Sequence, residues 1–207
     1  MKRYSQNLEQ DYILDYFNKP GQVKIMGSFI DIGANNGIDL SNTRALAELG
    51  WKGVFVEPSP KAFERLKKNY TGLKGFYFYN MAIGDHNGTA ILQESSSLLN
   101  SADIGLVSTF EASEMQRFKS ICTYEPVSVK MFKWKTFLNR LQIKQFDFIS
   151  LDVEGYEMHI LPDMDLSKTS LICLEWNSKP ELKKDFEYYL EGFKLIYTSG
   201  ENLLYGR

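Results

Sequence analysis

Apolar and polar positions along this chain follow two alternating rhythms, a three-to-four-residue spacing that marks helices and short apolar runs that mark strands. Asn7 to Phe17 carries apolar residues at helical spacing and Pro20-Gly21 stops them, which predicts an N-terminal helix within residues 1–20. Phe29-Ile30-Asp31-Ile32-Gly33 reads as a buried strand, followed by the turn Gly33-Ala34-Asn35-Asn36-Gly37. Leu40, Leu46, Ala47 and Leu49 then mark a helix ending at Gly50. Gly53–Glu57 closes this first strand–helix–strand unit. Ser59 before Pro60 suits an N-cap followed by proline at the first helical position, with Ala62, Phe63 and Leu66 on the buried side.

The rhythm continues with a strand over Gly75–Asn80, a turn through Ala82–Gly88 and a strand-like Thr89–Leu92. Residues 95–125 keep no period and are rich in serine, which predicts a substrate loop or lid with one short helix near Phe110–Phe118. Order returns with a strand near Val127–Val129, a helix around Lys135–Leu141 and a central strand over Phe146–Val153. Ser170–Trp176 makes another strand and Pro180–Leu190 a helix. Phe193–Tyr197 and Asn202–Tyr205, around Ser199-Gly200, read as an antiparallel hairpin. Strands alternating with helices before a terminal hairpin predict an α/β, mostly parallel, doubly wound sheet. A length of 207 residues suits one such domain over 1–207.

Composition narrows the field. With 24 Lys and Arg against 26 Asp and Glu, no basic surplus exists to attract a polyanion, so nucleic acid is not the expected partner. The apolar runs are far shorter than the roughly 20 residues that cross a bilayer. Met1–Asn7 turns polar at once and lacks the apolar core of a secretory signal, so a cytoplasmic protein without a membrane partner is expected. Cys122 and Cys173 have no neighbour at metal-ligand or redox spacing and read as reduced structural residues.

The candidate chemistry starts at Asp31-Ile32-Gly33-Ala34-Asn35-Asn36-Gly37, a D-x-G-x-N-x-G turn between strand and helix. Its glycines let backbone approach a ligand, and Asn35 stands where such loops often carry a middle glycine. Glu57 falls at the carboxyl end of the next strand, where a carboxylate accepts hydrogen bonds from both hydroxyls of a ribose. A nicotinamide dinucleotide would call for a G-x-G-x-x-G fingerprint, which is absent, so an oxidoreductase is disfavoured. S-adenosyl-L-methionine carries no phosphate, and its ammonium and sulfonium favour carboxylates such as Asp31.

Phe29–Gly37, Val54–Pro58, Asn80–Gly88 and Phe146–Leu161 together resemble the FkbM family of S-adenosylmethionine-dependent methyltransferases. Ser5-Gln6, Gln10-Asp11 and Leu174-Glu175 extend the likeness, and Phe148-Ile149-Ser150-Leu151-Asp152-Val153-Glu154-Gly155-Tyr156-Glu157 is its most diagnostic stretch. Family members often carry lysine where Ser150 stands. The resemblance implies a Rossmann-like class I methyltransferase fold and O-methylation of a sugar, glycan or other hydroxylated small molecule, that is, a transferase of glycan modification. It also implies that Met81, Ala82 and Asp85 surround the adenine, beside Asp31, Gly33, Ala34, Asn35, Gly37, Glu57 and Pro58 as cofactor residues.

Asp152 and Glu154 alternate along a strand end, so unless the strand has already ended only one of them is expected to face the transferred methyl, and Asp152 is the choice. Asp152, Glu154 and His159 are the candidate catalytic residues, with Asp152 or His159 the candidate base and Asp152 also a cofactor contact. Asp152, Glu154, Glu175 and Asn177 offer an oxygen-only set suited to magnesium or calcium, yet strand-end acids can also serve the cofactor without an ion, which is the preferred reading. A module that binds the cofactor and transfers nothing is the alternative from another functional class.

Overall fold

A computed structural model describes residues 2–18, 26–96 and 105–207. Its centre is a seven-stranded sheet in the order β3-β2-β1-β7-β8-β10-β9. The strands are β1 (Ser28–Ile32), β2 (Lys52–Val56), β3 (Phe76–Tyr79), β7 (Phe148–Leu151), β8 (Leu171–Glu175), β9 (Lys194–Thr198) and β10 (Asn202–Gly206). The first five run parallel, while β10 pairs antiparallel with both β8 and β9. The doubly wound sheet and its antiparallel C-terminal strands are therefore as expected, and the chain reverses its winding direction between β1 and β7. Crevices at such reversals, beyond the strands' carboxyl ends, are where ligands bind in open α/β sheets.

Strand alternation explains why the sheet is buried on both faces. Ile30, Ile32, Val54, Val56, Ile149 and Leu151 pack with Trp134, Phe137, Ile160 and Phe186. Phe29, Phe55, Phe148 and Cys173 point the other way, onto Ile13, Phe17, Leu46, Leu66 and Tyr70. The second group belongs to α1 (Glu9–Phe17), α2 (Arg44–Glu48), α3 (Pro60–Asn69) and its flank. Ser59 caps α3 as expected, accepting the N–H of Ala62 at 3.1 Å. A three-stranded sheet, β4 (Ala82–Ile83), β6 (Tyr124–Phe132) and β5 (Gly88–Ser95), flanks the main one. Both cysteines are buried free thiols.

Some boundaries differ from the periodicity. The helix read from Leu40 onward begins only at Arg44, because Asn36 Oδ1 accepts the N–H groups of Ile38 and Asp39 and Leu40 takes φ +57°. Leu40 is exposed, pairs as an isolated bridge with Ser5 and lines the cavity, so its apolar character does not mark a buried helix face. The strand near Val127–Val129 extends to nine residues because it pairs with all of β5. In the segment 95–125, α4 (Ala112–Phe118) matches the expected short helix, while residues 97–104 and the stop at Pro20-Gly21 lie outside the described residues. Among the described residues no helix is long and apolar enough to cross a membrane.

Candidate active site

One cavity opens at the carboxyl ends of β1, β2, β7 and β8, where the reversal of strand order leaves a crevice. Asp31, the penultimate residue of β1, points away from Ile30 and Ile32 toward the α2 side and reaches the cavity wall. It is 5% exposed, and its Oδ2 accepts the hydroxyl of Thr43 at 2.6 Å. Burial pushes its carboxyl up to about 7, against the lowering effect of that hydrogen bond.

Glu57 follows β2 immediately and is equally buried. Its Oε2 accepts the N–H of Asn35 at 2.8 Å and its Oε1 the N–H of Ser59 at 2.7 Å. Burial raises this carboxyl to about 7 as well, with Asp31 and Glu94 adding repulsion and the two amides opposing it. Asp31 and Glu57 thus face one shared crevice.

The turn between them is built around Gly33, whose φ is +86° and whose missing side chain admits the main chain of a neighbouring loop. A Cβ there would stand 1.6 Å from the carbonyl oxygen of Asp152. Gly33 therefore locks the first loop against the end of β7. Both Oδ1 and Nδ2 of Asn35 are buried without a hydrogen-bond partner, as is Oδ1 of Asn42, and both residues line the cavity. Unpaired buried polar atoms are costly unless something meets them. A ligand rich in hydroxyl and amine groups fits that need.

Asp152 and Glu154 correct the expectation that only one of them faces the site. β7 ends at Leu151, so strand alternation no longer applies, and Glu154 and Gly155 turn the chain at φ +54° and +94°. Both acids consequently reach the cavity with Glu175 of β8, and carboxylate oxygens of the three lie within 4.8 Å of one another. Glu157, 1% exposed, holds the turn by accepting the N–H groups of Val153 at 3.0 Å and Gly155 at 3.4 Å. Burial lifts the Asp152 carboxyl to about 6 and those of Glu154 and Glu175 well above the usual range.

The structure gathers Asp31, Gly33, Ala34, Asn35, Glu57, Pro58, Met81, Ala82, Asp152 and Glu154 on one cavity wall. It leaves three candidates outside that wall. Gly37 instead faces α3, where a Cβ would meet Leu66 Cδ1 at 2.4 Å. Asp85 is exposed and bonded to His86 at 2.7 Å. His159 stacks on Tyr156 at 4.0 Å between ring centres, with Nε2 3.5 Å from Glu111. Sequence reasoning did not find Gln6, Asn42, Arg117 and Glu201, which also line the cavity. Gln6 sits within the Ser5-Gln6 pair already noted for its resemblance, whereas Arg117 comes from the patternless segment and gave no signal.

Comparison with known proteins fits this geometry. Residues 31–195 match the model of the methyltransferase FkbM domain. The chain belongs to the FkbM family. It is accordingly an S-adenosylmethionine-dependent methyltransferase, and adenosylmethionine is the cofactor that family membership implies. Similar solved structures include ribosomal protein L11 methylase from Lactobacillus delbrueckii subsp. bulgaricus, at 13% identity and TM-score 0.50, covering 95% of this chain and 76% of that one. Precorrin-6y C5,15-methyltransferase from Geobacter metallireducens GS-15 has 12% identity and TM-score 0.50, covering 100% and 93%. WbdD has 11% identity and TM-score 0.54, covering 96% of this chain and 40% of that one. At such identities the likeness is one of fold, the class I methyltransferase fold. A search of curated protein sequences found no match.

Proposed function

We propose that this FkbM-family methyltransferase is an O-methyltransferase acting on a hydroxyl of a sugar, glycan or other small molecule. The observation that carries this reading is the convergence of Asp152, Glu154 and Glu175 beside the loop and strand ends suited to the cofactor. Glu57 would hold the ribose hydroxyls, Asp31 the amino-acid tail, and Met81 and Ala82 the edge of the adenine. Adenosylmethionine, when bound, supplies a methyl group activated by a positively charged sulfur. The chain's own task is then to present a hydroxyl oxygen and accept its proton.

The remaining wall suits that task. Gln6, Arg117, Glu154, Glu175, Asn177 and Glu201 all offer hydrogen-bonding groups. Arg117 is the one cation among the described wall residues, and Glu114 already pairs with it at 3.0 Å. Carboxyl and amide groups predominate, so the wall offers partners to hydroxyls and little positive charge to a polyanion such as nucleic acid. Burial pushes the Asp152 carboxyl up to about 6, which suits it to accept a hydroxyl proton near neutral pH. Positioning contributes more than the base, on the order of 7–11 kcal/mol in well-aligned systems. Two buried free thiols suit a reducing, cytoplasmic setting.

The test is incubation of the full chain with labelled adenosylmethionine and a panel of sugars and glycans, with the product identified as a methyl ether by mass spectrometry and chemical hydrolysis. Label appearing only on amine or carboxyl acceptors would overturn the hydroxyl assignment.

A further inference from the structure

The amino-acid end of adenosylmethionine carries an ammonium and a carboxylate, and the two make opposite demands on the wall. Asp31 suits the ammonium. The carboxylate needs a donor, on a wall where acids are many. Donors of the loop after β1 are already committed. Gly33 and Ala34 give their N–H groups to the Val56 carbonyl, and Asn35 gives its own to Glu57. Thr43 gives its hydroxyl to Asp31, so Ser41 donates to Thr43 at 3.3 Å, while Asn42 Nδ2 turns to Cys173 Sγ at 3.6 Å. Arg117 is held by Glu114 and Asn177. The side-chain amide of Asn35 is without a partner but stands beside Glu57, at the ribose end.

Gln6 is placed to meet the demand. Its segment crosses the loop after β1, where Ser5 pairs with Leu40 in a parallel bridge. The residues on either side of it are tied down. Tyr4 gives its N–H to Gln10 Oε1 at 2.8 Å, and Ser5 Oγ accepts the N–H of Gln10 at 3.1 Å. Asn7 gives its N–H to Glu9 Oε2 and its Nδ2 to Glu201 Oε2, both at 2.8 Å. Glu9 is fully buried, and its other oxygen accepts the Ser199 hydroxyl at 2.8 Å, which anchors the segment to the turn before β10. Of Tyr4, Ser5, Gln6 and Asn7, only Gln6 lines the cavity, together with Leu40 and Glu201. Its backbone is therefore ordered in advance, and a bond from its amide to a ligand costs only the freezing of one side chain.

We propose that the side-chain amide of Gln6 donates a hydrogen bond to the carboxylate of adenosylmethionine, so that the N-terminal segment completes the cofactor site. This gives Gln6 to the cofactor and not to the methyl acceptor, and it rests on the reading in which the amino-acid tail lies beside Asp31. A neutral amide suits the place. It meets the carboxylate with an N–H, yet carries no positive charge that would pair with Asp31 and displace the ammonium.

Calorimetry on the full chain tests this with S-adenosylhomocysteine, its analogue with hydrogen in place of the carboxyl group, and its analogue with hydrogen in place of the amino group. Gln6→Ala should weaken S-adenosylhomocysteine by about tenfold or more, the effect of losing one hydrogen bond to a charged group, and leave the decarboxylated analogue within about twofold. Gln6→Glu sets a negative charge against the carboxylate and should weaken S-adenosylhomocysteine further, again sparing the decarboxylated analogue. Unchanged binding of S-adenosylhomocysteine by Gln6→Ala, or equal weakening of both ligands, overturns the proposal. Asp31→Asn tests the underlying placement separately, since it should weaken S-adenosylhomocysteine but not the deaminated analogue. If it does so while Gln6→Ala binds normally, only the Gln6 assignment falls. If Asp31→Asn weakens both alike while the Gln6 variants keep their selectivity, the placement beside Asp31 falls and the role of Gln6 stands.

Discussion

Glu57 and Asn35 are joined by a 2.8 Å hydrogen bond in which the backbone N–H of Asn35 donates to Glu57 Oε2. The bond ties the end of β2 to the turn after β1, so a side chain suited to ribose also fixes the loop beside it. Its other oxygen holds Ser59, the N-cap of α3. One carboxylate therefore organises both loops on this side of the crevice.

Glu57→Ala should accordingly fail in two measurable ways. Binding of S-adenosylhomocysteine, followed by calorimetry, should be lost. Chemical unfolding should show a cost of about 1–3 kcal/mol for each buried N–H left without an acceptor. Glu57→Gln keeps one carbonyl acceptor and should fall between wild type and Glu57→Ala in both assays. Normal cofactor affinity in a folded Glu57→Ala variant would remove this residue from the cofactor site.

The two glycines of the turn should separate cleanly. Gly33→Ala places a methyl 1.6 Å from the Asp152 carbonyl, a main-chain atom that cannot swing aside. It should unfold the protein or displace the β7 end, with loss of cofactor binding. Gly37→Ala meets the ends of Leu66 and Tyr70 at 2.4 and 2.7 Å and must hold φ near +70°. Its expected cost is about 1–3 kcal/mol of stability with cofactor affinity retained, checked by denaturant unfolding and calorimetry on the same sample.

The segment carrying α4 is tied to β5 by the backbone bridge between Gln93 and Thr109 and to the cavity side by side-chain bonds. Thr109 Oγ1 donates to the Glu154 carbonyl at 2.7 Å, Arg117 reaches Asn177 Oδ1 at 3.2 Å, and Glu114 pairs with Lys179. Glu114→Ala leaves two cations without their buried partner. Hydrogen exchange over residues 105–118 should then accelerate markedly, while exchange in β1 and β7 stays slow. In a methyl-transfer assay the acceptor KM should rise more than cofactor affinity falls. Unchanged exchange in residues 105–118 would show that this ion pair is not what holds the segment.

The parts that sequence revealed and the parts it hid differ in range. Phe29 and Ile30 alternate between the two core faces, so their local pattern alone announces a strand buried on both sides. Asp31 and Glu57 were legible because one lies at the end of such a strand and the other directly after one, at the crevice side. Asn42 and Gln6 were not, since their place on the wall depends on Ser5 bridging to Leu40 across the fold. The joint approach of Asp152 and Glu154 was left open because it depends on where β7 stops, and a left-handed turn at Glu154 carries no periodic signal. Arg117 becomes visible only when α4 docks.

A pH dependence of unusual sign follows from the buried acids. Asp31 and Glu57 are pushed from their ordinary 3.8 and 4.5 to about 7, chiefly by burial. Because the folded pKa exceeds the unfolded one, the folded chain holds more protons between roughly pH 4 and 7. Stability linked to these groups is fully present below the unfolded values and is lost as pH rises through about 7. Carboxyls lowered by partners, such as Glu48 and Glu114, act with opposite sign but only below their ordinary 4.5, outside this window. His86, raised by Asp85, works in the same direction as the buried acids. Thermal unfolding of the metal-stripped, ligand-free chain should therefore show Tm falling from pH 5 to pH 8, by about 2–4 °C for each kcal/mol lost. His86→Gln should leave most of that slope in place, whereas Asp31→Asn and Glu57→Gln should each flatten it. A Tm that rises across the same interval would mean that these carboxyls are not held neutral in the fold.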